Sequence, residues 1–241
     1  MRWEVVERFR VEVLPLLNQR PLVALVGGGT TDPEVVLLAA TSDPTVTYFG
    51  VEAEPGLDFQ WLDLNEESGD VSGAFDVVVC SQVLEHVWHL QNALGNLAGL
   101  AKPGGLIWVN VPSSNFVHGY PNYYAAGYSP EMLVAWGRHL GLEVIYSEAF
   151  GSQRYYTWIH RYHFWPDESQ MRHPLRFRLR GSGSLVRRAG REAKRLGRLL
   201  ALGRTNNSVE GKLTWATETV VLFRRPQVAR IRDISPARPT R

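Results

Sequence analysis

The chain contains one cysteine, three methionines and no apolar run that approaches a membrane span. A lone Cys80 cannot close an intrachain disulfide, and no Cys/His spacing suggests a zinc site, so no metal is expected. One thiol set in an apolar run points to a reducing compartment. A transmembrane helix needs roughly 18–20 consecutive apolar residues, which excludes an integral helical membrane protein. Glu4 and Glu7 lie where a signal peptide would carry positive charge and then apolar residues. The expectation is a cytoplasmic, soluble protein. Internal repeats are also absent, which excludes solenoids and propellers.

What is present suits one α/β domain with an elaboration. The 241 residues are 44% hydrophobic and 21% charged, enough to bury a sizeable core. Charge is unevenly spread. Residues 172–204 hold eleven of the 26 Lys and Arg against one acid, Glu192. The remainder is mildly acidic, so the net +2 describes neither part.

Along the chain, apolar runs alternate with helical periodicity. Residues 3–19 read as an amphipathic helix bent at Pro15, and Leu22–Val26 as a buried strand entering Gly27-Gly28-Gly29. Asp32 at an N-cap and Pro33 at the first helical position open a helix through Ala40. Strands follow at 45–51, 59–62 and 76–80. A helix is expected over 83–101, then a turn at Lys102-Pro103-Gly104-Gly105 and a fifth strand at 106–111. Ser129-Pro130-Glu131 caps a helix that stops at Gly141, a sixth strand covers 142–150, and a last one covers 217–223. Strand–helix–strand alternation predicts a parallel sheet with crossover helices.

In such a sheet, ligands bind at the carboxyl ends of the strands. Gly27, Gly28 and Gly29 let backbone approach a ligand closely, and the helix start after Asp32 favours a carboxylate. Glu52 can accept hydrogen bonds from two ribose hydroxyls, and Asp63 one from an adenine amino group. Each also has a plain reading: a tight turn for the glycines, solvated strand-end acids for the other two.

The stretch Phe75-Asp-Val-Val-Val-Cys-Ser-Gln-Val-Leu-Glu-His-Val, continued by Leu100-Ala-Lys-Pro-Gly-Gly-Leu-Ile-Trp-Val-Asn-Val-Pro112, resembles the centre of the class I S-adenosylmethionine-dependent methyltransferases. The resemblance covers about residues 20–150 and the final strand. It implies a Rossmann-like, mostly parallel seven-stranded sheet with helices on both faces and an antiparallel last strand. It also implies S-adenosylmethionine as cofactor, with Gly27, Gly28, Gly29, Glu52, Asp63 and Ser81 around it. One departure stands out: Leu25 occupies the position where the family usually has an acid.

An amino-acceptor motif of the Asn-Pro-Pro-Tyr kind is missing after strand four, where Ser81-Gln82-Val83-Leu84 stands. The resemblance therefore implies a small-molecule acceptor, a sugar or lipid-linked hydroxyl among the options. His86 and His118 are the candidate catalytic groups, since a hydroxyl acceptor benefits from a general base. His86 could equally be a helix-start residue and His118 an exposed loop histidine.

The expected domain plan is a core over 1–151, an insertion over 152–212, the final strand within 213–226 and a disordered tail over 227–241. The insertion begins with aromatics such as Tyr155, Tyr156 and Trp158, suited to a lid or to packing on the sheet. It continues as a basic amphipathic helix over 184–202, suited to an anionic membrane surface or lipid-linked substrate, or simply to solvent. Nucleic acid is not favoured, because no stacking motif accompanies the charge. The alternative function is a catalytically inactive methyltransferase-like binding or scaffold protein, motivated by Leu25. A nicotinamide-dependent oxidoreductase fits poorly, for want of a third loop glycine and of a Tyr-x-x-x-Lys pair.

Overall fold

Leu22–Val26 forms β1, and four of its five side chains are buried. Burial on both faces demands neighbours on both sides, and β1 pairs in parallel with β2 (Thr45–Gly50) and with β4 (Phe75–Ser81). β3 (Phe59–Trp61) extends the sheet beyond β2, and β5 (Ala101–Pro112) lies beyond β4, both in parallel. β7 (Glu218–Arg224) inserts antiparallel between β5 and β6 (Glu143–Phe150). The order is therefore β3-β2-β1-β4-β5-β7-β6. This is the expected seven-stranded Rossmann-like sheet with an antiparallel last strand. The computed structural model describes residues 3–53, 55–68, 73–115, 118, 121–151, 156–157 and 216–227. The aromatic and basic parts of the insertion, and the tail, lie outside the described residues almost entirely.

Helices cover both faces. α1 (Trp3–Glu12) and α2 (Pro33–Thr41) bury Val5, Phe9, Val35 and Leu38 against Leu25, Val79 and Trp108. Phe9 meets Trp108 edge to face at 5.2 Å. On the other face, α3 (Leu90–Leu100) and α4 (Pro130–His139) pack Leu94, Leu97 and Leu133 against Val78, Ile107 and Phe223. Ser129 caps α4 as expected, its hydroxyl accepting from the Met132 N–H at 3.2 Å. No helix among the described residues is long and apolar enough to cross a membrane.

Three expectations need correction. The first helix ends at Glu12, and a separate 3-10 turn, Leu14–Leu16, follows with Pro15 inside it. Pro15 offers no N–H, so the α-helical ladder cannot run through it. The helix expected over 83–101 is two pieces: a 3-10 turn at Leu84–His86, then α3 from Leu90. Val87 between them is extended (ψ 131°), and the Trp88 and His89 N–H groups both donate to Asn65 Oδ1, at 3.0 and 3.3 Å. A side chain from the β3 loop has captured the donors at the break.

The third correction concerns Lys102–Gly105, expected as a turn before strand five. These residues belong to β5, inside a wide bulge: Phe75 pairs with Ala101, but Val77 already pairs with Leu106. Gly105 fits there because a Cβ would lie 2.7 Å from the Phe75 carbonyl oxygen. Arg225 closes the corner by donating to the carbonyls of Ala98, Gly99 and Ala101, satisfying the free end of α3.

Candidate active site

The carboxyl ends of β1, β2, β3 and β4 share one edge of the sheet, because these strands run parallel and adjacent. Gly27 leaves β1 with φ +70°, and its N–H donates to the Phe49 carbonyl at 2.8 Å. A Cβ on Gly27 would stand 2.7 Å from a Val83 methyl, so both the backbone angle and the space require glycine. A Cβ on Gly28 would strike the Asp32 carboxylate, which folds back over the loop. Gly29 accepts from the Asp32 N–H at 3.1 Å, closing the turn into α2.

Glu52 stands exposed two residues past β2. Asp63 follows β3, half-buried, and its Oδ1 accepts from the Asn65 N–H at 2.8 Å and the Asn65 Nδ2 at 3.0 Å. Asp63 thus orients the same Asn65 that breaks the helix before α3. A cleft of about 380 Å³ beneath Asp63 runs past Leu62, Glu66 and Ser68 to Phe75 and Leu100. No glycine of the loop lines it, so it extends away from the β1 edge.

Ser81 ends β4, and its hydroxyl donates to Glu34 Oε1 at 2.7 Å. The indole N–H of Trp108 donates to the same oxygen at 3.2 Å. Glu34, in the first turn of α2, is fully buried, and its other oxygen has no partner. Burial pushes its carboxyl above the usual range, opposed by those hydrogen bonds. This is a buried acid on the sheet face that Leu25 also occupies, and the sequence analysis missed it. The one signal was Trp108 in an otherwise aliphatic strand, whose N–H must find an acceptor.

Gln82 takes φ +58°, a costly angle for a residue with a side chain. Its amide holds that angle by donating to Asn110 Oδ1 at 2.9 Å and Glu218 Oε2 at 2.8 Å. The chain is thereby turned sharply into Leu84–His86.

That turn brings both candidate histidines to one point. His86 Nε2 lies 4.0 Å and His118 Nε2 3.8 Å from Glu85 Oε1. The two rings meet edge to face at 5.0 Å, and Tyr123 leans on His118 at 4.9 Å. His86 Nδ1 contacts the Asn122 carbonyl. A carbonyl only accepts, so Nδ1 carries a proton there, while Nε2 faces Glu85. Glu85 is fully buried with neither carboxylate oxygen hydrogen-bonded, and burial pushes its carboxyl up to about 7. Its backbone carbonyl accepts from the N–H groups of Tyr124 and Ala125, at 2.9 and 3.2 Å, which clamps the loop after β5 onto the turn. The two histidines are legible in the sequence, whereas Glu85 as their common neighbour is not.

A seven-stranded Rossmann-like sheet with a glycine turn after β1 and acids after β2 and β3 is the architecture of the class I methyltransferases. Residues 25–193 match the Methyltransferase domain family, and the chain belongs to it. Among curated proteins, the ubiquinone biosynthesis O-methyltransferase of Bordetella pertussis (strain Tohama I) is 31% identical over 78 residues, 32% of each chain. The match thus spans about a third of that relative. A solved S-adenosylmethionine-dependent methyltransferase from Archaeoglobus fulgidus superposes with TM-score 0.54 at 16% identity, covering 93% of this chain and 94% of that one. The [4+2]-cyclase SpnF superposes with TM-score 0.53 at 20% identity, covering 92% and 78%.

Proposed function

We propose that the chain transfers a methyl group from S-adenosylmethionine to a hydroxyl of a small-molecule acceptor, a sugar or lipid-linked alcohol among the candidates. The observation that carries the choice of oxygen is the convergence of Glu85, His86 and His118, with Tyr123, at the turn after β4. Membership of the methyltransferase family supports the reaction class, and the O-methyltransferase relative is consistent with an oxygen acceptor.

The residues present fit the cofactor. Gly27 turns the chain sharply out of β1 at φ +70°, the first turn of α2 offers backbone N–H groups beside it, and Glu52 and Asp63 stand at neighbouring strand ends. Bound there, S-adenosylmethionine supplies an electrophilic methyl on a positively charged sulfur. Glu52 would hold the ribose and Asp63 the adenine amino group, while Ser81, tied to the buried Glu34, would lie toward the sulfur end. His86 and His118 receive the acceptor hydroxyl and take its proton; the buried Glu85 carboxylate stabilises the imidazolium that forms. Tyr123 packs against His118 on one side of that point.

The test is incubation with methyl-labelled S-adenosylmethionine and a panel of sugar, phenol and polyprenyl alcohols. An O-methyl product is expected, with kcat falling about 100-fold or more in His118→Ala while KM for the cofactor holds. Label appearing only on nitrogen or carbon acceptors would defeat the assignment.

A second reading is favoured by Leu25. It is fully buried in apolar surroundings where the family usually has an acid, which suits a domain that binds without transferring methyl. SpnF, a cyclase, is built on the same fold. The basic segment over 184–202 would bring a lipid-linked acceptor or an anionic membrane surface to a cytoplasmic protein. Fractionation and vesicles with and without anionic lipid test that part.

A further inference from the structure

Two imidazole nitrogens and one buried carboxylate converge after β4. His86 Nε2 and His118 Nε2 both face Glu85 Oε1, at 4.0 and 3.8 Å, and neither oxygen of this fully buried carboxylate accepts a hydrogen bond. One donor atom from each residue lies within 4.8 Å of the others. A carboxylate buried in this way is unfavourable unless a positive charge sits beside it.

We propose that Glu85, His86 and His118 form a binding site for one divalent cation of intermediate hardness, and that this ion holds the acceptor hydroxyl. The proposal rests on the O-methyltransferase reading for the ion's role, but not for its binding. Ligand atoms about 2.0–2.2 Å from one ion lie about 3–4 Å from one another, so small side-chain rotations close the observed spacing. Two imidazoles and one carboxylate select zinc, cobalt, manganese or iron over magnesium or calcium, which prefer oxygen ligands throughout.

The surroundings suit ligation. His86 is oriented by donating Nδ1–H to the Asn122 carbonyl, the outer partner that fixes a metal-bound histidine's tautomer. Two backbone N–H groups on its carbonyl fix the Glu85 main chain, and full burial confines its side chain. The His86 and His118 side chains are 28% and 22% exposed, which leaves the solvent side open for water or an acceptor oxygen. Three protein ligands with an open position are the arrangement of a catalytic rather than a structural ion. With the ion bound, the two histidines would ligate instead of taking the proton: a hydroxyl held there would ionise at lower pH, its proton passing to water on the exposed side, and the resulting alkoxide is the better nucleophile.

The experiment uses untagged, chelator-treated full-length protein titrated with Co²⁺, followed by visible absorption and calorimetry. One Co²⁺ per chain is expected, displaced by Zn²⁺ and weakened at least tenfold in His118→Ala and Glu85→Gln. His118 lies in a surface loop, so its variant keeps the test valid if Glu85→Gln misfolds. A folded protein that takes up no Co²⁺, or binds it equally after His118→Ala, overturns the site. S-adenosylhomocysteine titration of the chelator-treated protein reports separately on the methyltransferase reading. Cofactor binding without Co²⁺ binding sinks the ion alone, and the reverse sinks the reaction but not the ion.

Discussion

Replacing Glu34 separates two effects that the buried carboxylate combines. Its Oε1 accepts from the Ser81 hydroxyl and the Trp108 indole, both buried, while Oε2 has no partner. Glu34→Leu leaves two buried donors unmatched, each costing about 1–3 kcal/mol. Relief of the buried acid offsets part of this, so a net loss of about 2–4 kcal/mol is expected. For a chain of this length that lowers Tm by roughly 2–4 °C per kcal/mol, about 5–15 °C in all. Glu34→Gln keeps the acceptor and removes the charge, and should melt at or above wild type near neutral pH. The pH dependence follows from the raised carboxyl. Above its ordinary value of 4.5 the unfolded chain loses this proton while the folded chain keeps it. Stability from this group is therefore complete below that value and declines as pH rises toward the folded one. Scanning calorimetry from pH 4 to 8 should show wild type falling relative to Glu34→Gln. Parallel curves for the two proteins, together with an unperturbed Glu34→Leu, would refute the reasoning.

Three further outcomes are expected. Glu52→Ala should weaken S-adenosylhomocysteine binding roughly tenfold to hundredfold, the effect of losing hydrogen bonds to a charged group. Its Tm should hold, because the side chain is exposed. Gly27→Ala forces a methyl toward Val83 at φ +70°, and should cost about 1–2 kcal/mol from the backbone angle alone, with cofactor binding lost as well. Arg225→Ala frees three carbonyls at the end of α3 and should lower urea stability by about 1–2 kcal/mol, leaving cofactor affinity unchanged.

The sheet was legible because its strands are short apolar runs ending in glycine or an acid. Leu22–Val26 before Gly27 and Phe75–Ser81 before the Leu-Glu-His turn announce themselves locally. The break before α3 was not legible, since it depends on Asn65, a residue of another loop held by Asp63. The β5 bulge was hidden for a related reason: Lys-Pro-Gly-Gly is good turn chemistry, and only pairing with Phe75 and Arg225 keeps it in the strand. The candidate site divides in the same way. Glycines and strand-end acids have local signatures, whereas Glu34 looks like an ordinary first-turn helix acid until Ser81 and Trp108 are brought over it. Glu85 likewise gains its meaning from His118, which only the folded loop after β5 delivers.

Whether this edge of the sheet holds the methyl donor is the central question, and calorimetric titration of the folded protein with S-adenosylhomocysteine answers it most directly. One site per chain with micromolar affinity is expected, weakened in Glu52→Ala. A folded sample that binds neither S-adenosylhomocysteine nor S-adenosylmethionine would contradict it and make the buried Leu25 decisive.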